Sequence, residues 1–510
     1  MTGTTDYPPF RLFNTLSRSV EGVQTLEPGV LRFYSCGPTV YSYAHIGNFR
    51  TFLTADLIVR TARAIGWSVQ YVTNITDVGH LTDDDVADGG GEDRMAKALS
   101  SREGERFGNV WDLARYYADQ LVADWKTLNL LEPTLRPRAT EHMRQQILTI
   151  RRLIDSGHAY ETELGIYFSV PSFADYGKLS GNEDAGQLAE AVRDVVSDPG
   201  KRDTRDFALW KKDDKHLMQW FSPWGWGFPG WHIECSVMAV EYLGEQIDIH
   251  GGGEDLIFPH HECEIAQAES LSGKRFARYW VHTRFLQVEG RKMAKRDGTF
   301  LTVRDLVGRK EDGGRGFDPA AVRLALMSGQ YRKPANFTFE TLRASARHIQ
   351  RIREARRVAA GAVGAVVGET TGGDNSSDPT SGRLDLIYNR ALASMLDDLN
   401  TPEAIAAGLE GVKVILGSAD SMSAREADAA LDWLDRMEAL IGWEGPSPSL
   451  AAGGEDDFAA TVERLLSERT SARSKRDFAR ADAIRDELVD MGVEVMDAPG
   501  GPTWRKKLTV

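Results

Sequence analysis

Val30-Leu31-Arg32-Phe33-Tyr34-Ser35-Cys36-Gly37-Pro38 is the stretch on which the fold turns. Its first five residues read as a short strand that ends at Cys36, and Gly37-Pro38 supplies a turn. A helical stretch follows from about Gly47 to Ile65, Gly66 stops it, and Trp67 to Thr73 alternates as a second strand. Residues 30–76 are therefore a β-α-β unit, whose natural host is a parallel α/β sheet with ligands at the carboxyl ends of its strands. Cys36, His45 and Thr76 all fall at or just after strand ends.

Outward from this unit, residues 130–225 read as an insertion: a helix near 141–156, short strands near 158–169, then polar loops. The sheet resumes at Gln246-Ile247-Asp248-Ile249-His250, passes Gly251-Gly252-Gly253 and enters a helix that runs to about Ser270. A strand from Tyr279 to Val288 leads to Lys292-Met293-Ala294-Lys295-Arg296, and from about residue 315 the chain turns helical. Residues 358–382 are short of large apolar side chains and predict a surface loop; 443–457 predict a linker. The last fifty residues predict a small module: a helix from about Asp457, another near 477–491, Gly492 as its stop and a short strand to Met496. The expected divisions are 1–129 and 229–290 as two halves of a Rossmann-like domain, 130–228 as a connective insertion, 291–340 as the lysine-bearing linker region, 341–445 as a helical bundle and 457–510 as the terminal α+β module.

At 510 residues the chain is too long for one ordinary core, and 42% hydrophobic with 27% charged residues is a globular composition. No apolar run is long enough to span a bilayer and no signal-like start is present, so the cytoplasm is expected, without a membrane partner. Three cysteines, Cys36, Cys235 and Cys263, make no disulfide framework and point to metal binding or packing. A net charge of −14 excludes a generic polyanion binder; a nucleic-acid partner would need locally basic surfaces.

His260 and Glu264 stand at i and i+4 on an expected helix and project from one face. With Cys36 and Cys235 they make a two-thiolate, imidazole and carboxylate set suited to zinc. Cys263, at i+3 from His260, competes with Glu264 for the fourth place, and spacing does not separate them. His45 and Asn48 begin a helix after a strand, where phosphate oxygens meet the positive helix end, and Gly47 lets backbone approach a ligand. Gly252 and Gly253 give an adenosine a flat backbone, Asp255 can accept from a ribose or an amine, and Lys292 and Lys295 can follow charge onto a leaving pyrophosphate. These are two halves of an ATP site.

In these runs the chain closely resembles the cysteinyl-tRNA synthetases, a class I aminoacyl-tRNA synthetase family. The matching stretches are Cys36-Gly37-Pro38-Thr39-Val40-Tyr41, Ala44-His45-Ile46-Gly47-Asn48, Asn74-Ile75-Thr76-Asp77, Pro229-Gly230-Trp231-His232-Ile233-Glu234-Cys235, and His250 through Pro259-His260-His261-Glu262 to Glu264. The resemblance implies Cys36, Cys235, His260 and Glu264 as zinc ligands, against Cys263. It implies Thr76, Trp231, His250 and Asp255 around the amino acid, His45, Asn48 and Lys295 on ATP with magnesium on the triphosphate, and tRNA(Cys) as partner of a monomer. It makes 457–510 the anticodon module, with Arg473, Asp482 and Asp497 as base readers; read from the residues themselves, Arg473, Lys475, Arg476 and Arg480 cluster there, and Phe478 and Trp504 offer stacking faces. Three departures stand out: Asn48 where many class I enzymes have histidine, Ala294 and Arg296 where serines are common, and the acidic stretch from Asp83 to Asp93.

Serine differs from cysteine by one atom, which an apolar pocket separates by only ~1–3 kcal/mol. Zinc favours a thiolate over a neutral hydroxyl, so a metal-read substrate needs no editing domain. An arginine stripe at Arg343, Arg347 and Arg351, extended by Arg353, Arg356 and Arg357, is a second candidate tRNA surface. Three rivals remain: a cysteine ligase acting on an amino-sugar acceptor, a non-catalytic tRNA-binding paralogue, and a zinc hydrolase built on His260 and Glu264.

Overall fold

The computed structural model describes residues 7–80, 93–181, 198–294, 298–365, 379–445, 455–474, 477–490, 493–498 and 501–506. The opening unit forms as its sequence dictates: β1 (Val30–Ser35), α1 (Ile46–Ala64) and β2 (Ser68–Thr73). After α2 (Val110–Thr127) and α3 (Met143–Asp155) come five short strands: β3 (Ala159–Glu161), β4 (Gly165–Phe168), β5 (Phe207–Lys211), β6 (Trp220–Ser222) and β7 (Gly225–Pro229). They make one antiparallel sheet in the order β3-β4-β5-β7-β6. β7 runs directly into α4 (Trp231–Leu243), followed by β8 (Ile247–Gly253), α5 (Glu262–Ser272) and β9 (Ala277–Thr283).

The central sheet has the order β9-β8-β1-β2, and every pairing in it is parallel. From β1 the chain winds outward through α1 to β2; from β8 it winds the other way through α5 to β9. Winding therefore reverses between β1 and β8, and the crevice beyond their carboxyl ends is where such sheets hold ligands. Cys36 N donates to Gly251 O at 3.1 Å across that crevice.

The expected strand from 279 to 288 is two strands. β9 stops at Thr283, and β10 (Leu286–Val288) joins a separate sheet with β11 (Arg291–Lys292) and β12 (Ala335–Phe337). Arg284 and Phe285 make the corner because their backbone is claimed elsewhere: Phe285 N donates to Glu254 Oε1 at 2.5 Å, and the buried Arg50 guanidinium donates to the carbonyls of Arg284, Gln330 and Lys333. Beyond α6 (Pro319–Leu326) lie α7 (Phe339–Ala365), α8 (Pro379–Leu396), α9 (Thr401–Gly417) and α10 (Ala424–Ile441). Of the loop expected at 358–382, residues 366–378 lie outside the described residues and both margins are helical. α7 continues through it to Ala365, alanine being a strong helix former and Ala359 fully buried, and Pro379 opens α8. The expected linker from 443 also begins in the core: Trp443 is fully buried, edge-on to Trp433 at 6.2 Å. The terminal module comprises α11 (Glu455–Ser474), α12 (Phe478–Asp490) and a hairpin of β13 (Val493–Ala498) with β14 (Gly501–Lys506), one strand more than expected. Its helices share a small core of Val462, Leu465, Leu466, Ile484 and Leu488. Among the described residues no helix is long and apolar enough to cross a membrane.

α1 is buried on nearly every side because it lies between the sheet and α10. A buried ionic junction fixes it there. Asp56 Oδ2 accepts from Arg323 Nη2 at 2.5 Å and Arg60 Nε at 2.9 Å, and its Oδ1 accepts from Leu131 N at 2.7 Å. The remaining guanidinium N–H groups satisfy Leu128 O, Asn129 O and the end carbonyls of α10, Glu438 O, Ala439 O and Ile441 O. Although burial opposes ionisation, the two arginines hold the Asp56 carboxyl below its ordinary range. Removing one partner strands a buried charge, so Arg323→Met is expected to cost about 3–5 kcal/mol in urea unfolding. A loss under about 1 kcal/mol would contradict that account of the junction.

Candidate functional site

Four donor groups meet at the β1/β8 crevice. Cys36 lies one residue past β1, Cys235 in α4, His260 in a turn before α5 and Glu264 within α5. Their ligand atoms all lie within 4.8 Å of one another, and all four residues are buried. Cys36 Sγ is 3.5 Å and His260 Nε2 3.2 Å from Glu264 Oε1. The chain reaches this geometry by close backbone approach: a Cβ on Gly37 would sit 1.7 Å from Asn74 O.

The electrostatics are those of a cluster that wants a cation. Burial pushes the Cys36 thiol well above its usual range, whereas Cys235, hydrogen-bonded by Cys36, is pulled down. Burial works against charge on His260, yet Cys235 and Glu264 raise it to about 10. Burial likewise opposes the Glu264 carboxylate, but His250 and His260 hold it at about 2. Two thiols and a carboxylate converging out of water are costly unless compensated. A soft divalent metal fits this donor set.

Cys263, left undecided by spacing, points away and lies 3.5 Å from Tyr176 OH. The turn at 257–261 is irregular, with Phe258 at φ −138° and ψ 134°, so helical spacing alone could not have separated the two candidates. A second potential grouping, Cys36, His250, His261 and Glu264, shares two members with the first. His250 Nε2 bonds Glu264 Oε2 at 3.0 Å. His261 was not singled out from the sequence; its Nε2 is 3.4 Å from Cys36 Sγ, and its Nδ1 is 2.8 Å from His282 Nε2, which continues to Thr15. His232 Nδ1 meets His260 Nδ1 at 2.9 Å, and His80 meets Glu234 at 2.9 Å. The signal for these was the placement of histidines at strand ends and beside the candidate ligands. Asn74 was also missed: it accepts from Gly37 N at 2.8 Å and donates to Thr76 Oγ1 at 2.9 Å, which fixes the buried Thr76. Trp231 lies over His260 with ring centroids 4.4 Å apart. Asp255 stands outside the buried cluster, exposed, with its carboxylate over Gly253.

The two nucleotide halves also come together. His45 caps α1: its Nδ1 accepts from Asn48 N and its backbone N–H donates to Asn48 Oδ1, both at 3.1 Å. With Nδ1 an acceptor and the ring's pKa depressed by burial, the neutral imidazole carries its proton on Nε2. Ile46 N donates to Leu301 O at 2.9 Å, and Phe300 meets the His45 ring edge-on at 5.2 Å. A Cβ on Gly47 would lie 2.4 Å from Met293 Cε, so the lysine motif rests on the start of α1. Lys292 is exposed on β11; Lys295 and Arg296 lie outside the described residues, as does the acidic stretch apart from Asp93. Thr299, also unforeseen, holds the first half of the motif by donating to Lys292 O at 2.9 Å and accepting from Ala294 N at 3.0 Å. Gly252 and Gly253 end β8 beside the crevice.

Of the basic stripe, Arg343, Arg347 and Arg351 are exposed, but Arg353 is committed to Asp318 and Arg356 to Glu444 and Asp435. Those two anchor the bundle. In the terminal module Arg473 is exposed on α11, and Asp482 is exposed on α12, 3.5 Å from Arg485. Arg480 lies 3.3 Å from Glu468, and Phe478 is exposed. Asp497 and Trp504 lie on the β13–β14 hairpin.

A family model described as the class I (C) tRNA synthetase catalytic domain matches residues 22–347. The fold is shared with Mycobacterium tuberculosis methionyl-tRNA synthetase (TM-score 0.53, 15% identity, 81% of this chain and 89% of that one). It is shared as well with the LeuRS of Agrobacterium radiobacter K84 (TM-score 0.59, 11% identity, 83% and 85%). The fold is thus that of a class I aminoacyl-tRNA synthetase. The cysteine–tRNA ligase of Salinibacter ruber is 55% identical over 98% of this chain and 99% of its own length, and that of Rhodospirillum rubrum 42% identical over 97% and 99%. A second family model, the cysteinyl-tRNA ligase anticodon binding domain, matches residues 455–505. The chain belongs to the cysteine–tRNA ligase family.

Cys235→Ser is expected to lower bound metal well below one ion per chain, whereas Cys263→Ser retains full metal content. Elemental analysis of the purified proteins checks this, and equal loss in both variants would contradict the ligand set.

Proposed function

We propose that this chain is a cysteine–tRNA ligase: it activates L-cysteine with ATP to cysteinyl-adenylate and pyrophosphate, then transfers the cysteinyl group to the terminal ribose of tRNA(Cys). The observation that carries this reading is the buried Cys36–Cys235–His260–Glu264 cluster, set at the sheet's switch point beside a nucleotide site built from both ends of the catalytic region.

In the first step the substrate carboxylate oxygen bonds to the α-phosphorus and pyrophosphate leaves; in the second the ribose oxygen bonds to the acyl carbon and AMP leaves. Neither step needs a protein nucleophile, so the chain's task is positioning and charge stabilisation. Trp231, Thr76 and His250 flank the amino acid, with Asp255 at the rim. His45, through Nε2–H, and Asn48 meet phosphate oxygens at the start of α1, where the helix dipole favours anions. Lys292 and Lys295 take up charge on the departing pyrophosphate, with Mg2+ travelling on ATP. Gly252 and Gly253 leave room for the adenosine. Zinc in the four-donor cluster would supply a soft Lewis acid with a strong preference for a thiolate over a neutral hydroxyl. His250, 3.0 Å from Glu264 Oε2, would orient that carboxylate for the ion.

Action as a monomer belongs to the same reading. Arg473, Asp482, Asp497 and Trp504 are the proposed anticodon contacts. The terminal module speaks against an amino-sugar acceptor, the intact His45, Asn48 and Lys292 against a non-catalytic paralogue, and two thiols among the donors against a hydrolase.

Cysteine-dependent ATP–pyrophosphate exchange should be lost on chelation and restored by zinc, with serine failing to compete. Exchange indifferent to the chelator would contradict the reading. Removing residues 455–510, which form their own core, should spare exchange and lower tRNA charging by about 100-fold or more. Unchanged charging would argue against the module's role.

A further inference from the structure

β6 and β7 form a hairpin at the edge of the connective sheet, with Phe221 directly opposite Trp226. Opposed residues leave the same face of a sheet. Here that face is open: Phe221 is 69% and Trp226 53% exposed, with ring centroids 5.7 Å apart at 64°. The other face is packed, with Trp220 edge-on to Trp111 at 5.6 Å and Ser222 buried. Two large aromatics in water serve nothing in the fold, since threonine or valine would satisfy a strand edge as well.

Two further observations point to an occupant. A hollow of about 370 Å³ lies beside the hairpin, walled by Trp224 and Trp226 on one side and by Lys212, Asp213, Asp214 and Lys215 on the other. Lys215 is exposed there, and the Lys212 ammonium is held by Glu161. Moreover, β7 passes without interruption into Gly230 and α4, which carries Trp231 and Cys235. Trp226 is therefore only roughly 15 Å of strand from the reaction site.

Resting on the reading of this chain as a cysteine–tRNA ligase, we propose that Phe221 and Trp226 are a stacking platform for the unpaired bases at the 3′ end of the tRNA. The second half-reaction requires the terminal ribose to enter the crevice, so the preceding nucleotides must leave along its rim. Unpaired bases offer π-faces that exposed aromatic rings take up without regard to sequence. Phe221 and Trp226 thus act as positioning residues for acyl transfer, with no part in adenylate formation.

The test compares wild type, the double variant Phe221→Ser/Trp226→Ser and the conservative Phe221→Tyr/Trp226→Tyr. The serine variant should keep cysteine-dependent ATP–pyrophosphate exchange and lose about 10-fold to 100-fold in charging efficiency, chiefly through KM for tRNA, and the tyrosine variant should recover most of it. With wild type, 2-aminopurine placed in the unpaired stretch just before the terminal nucleotide should be quenched on binding, and the serine variant should abolish the quenching. An unquenched probe in the wild-type complex overturns the proposal whatever the variants do. Unchanged charging in the serine variant also overturns it, as does concentration-dependent self-association that the substitutions abolish. Absence of exchange in wild type would instead defeat the functional reading beneath it.

Discussion

The Glu264 carboxylate is the point on which the structure depends. It is fully buried, faces two histidines and a cysteine, and lies where three segments distant in sequence converge. A carboxylate in that position is tolerable only while positive charge answers it. His250 and His260 meet it at 3.0 and 3.2 Å, and the surrounding thiols give a donor set that suits a soft cation. The sheet's topology is what makes the convergence available: Cys36 comes from one winding direction and Glu264 from the other, so the reversal between β1 and β8 sets them face to face.

A second constraint runs the length of α1. Its start is capped by His45 and Asn48 acting on each other, and it carries the lysine motif through Met293 against Gly47. Its far half is locked by Asp56, Arg60 and Arg323 to the end of α10. Groups proposed to meet phosphate therefore stand on a helix held at both ends. A catalyst that works by positioning requires that rigidity.

The opening β-α-β unit was legible almost to the residue, because strand alternation, the Gly66 stop and the helix between them all agree. The candidate ligands were legible as a set, yet the choice between Cys263 and Glu264 was not readable from spacing: it depends on an irregular turn at Phe258 that no periodicity announces. The break between β9 and β10 was invisible for a related reason, since Arg50 and Glu254, remote in sequence, claim the backbone of Arg284 and Phe285. Composition missed the described margins of both expected flexible stretches, where the alanine-rich start of one is helical and Trp443 at the start of the other is core, while 366–378 and 446–454 lie outside the described residues. Of the arginine stripe, periodicity found the exposed face at Arg343, Arg347 and Arg351 but could not see the acidic partners of Arg353 and Arg356.

Selectivity in this account comes down to whether the substrate's sulfur enters the coordination sphere of the ion between Cys36, Cys235, His260 and Glu264. X-ray absorption at the zinc edge of the metal-loaded protein, recorded with and without cysteine, reads that directly. The account predicts that the sulfur neighbours rise from two, one from each cysteine of the cluster, to three when cysteine is added, and stay at two with serine. A sulfur count unchanged by saturating cysteine would contradict it.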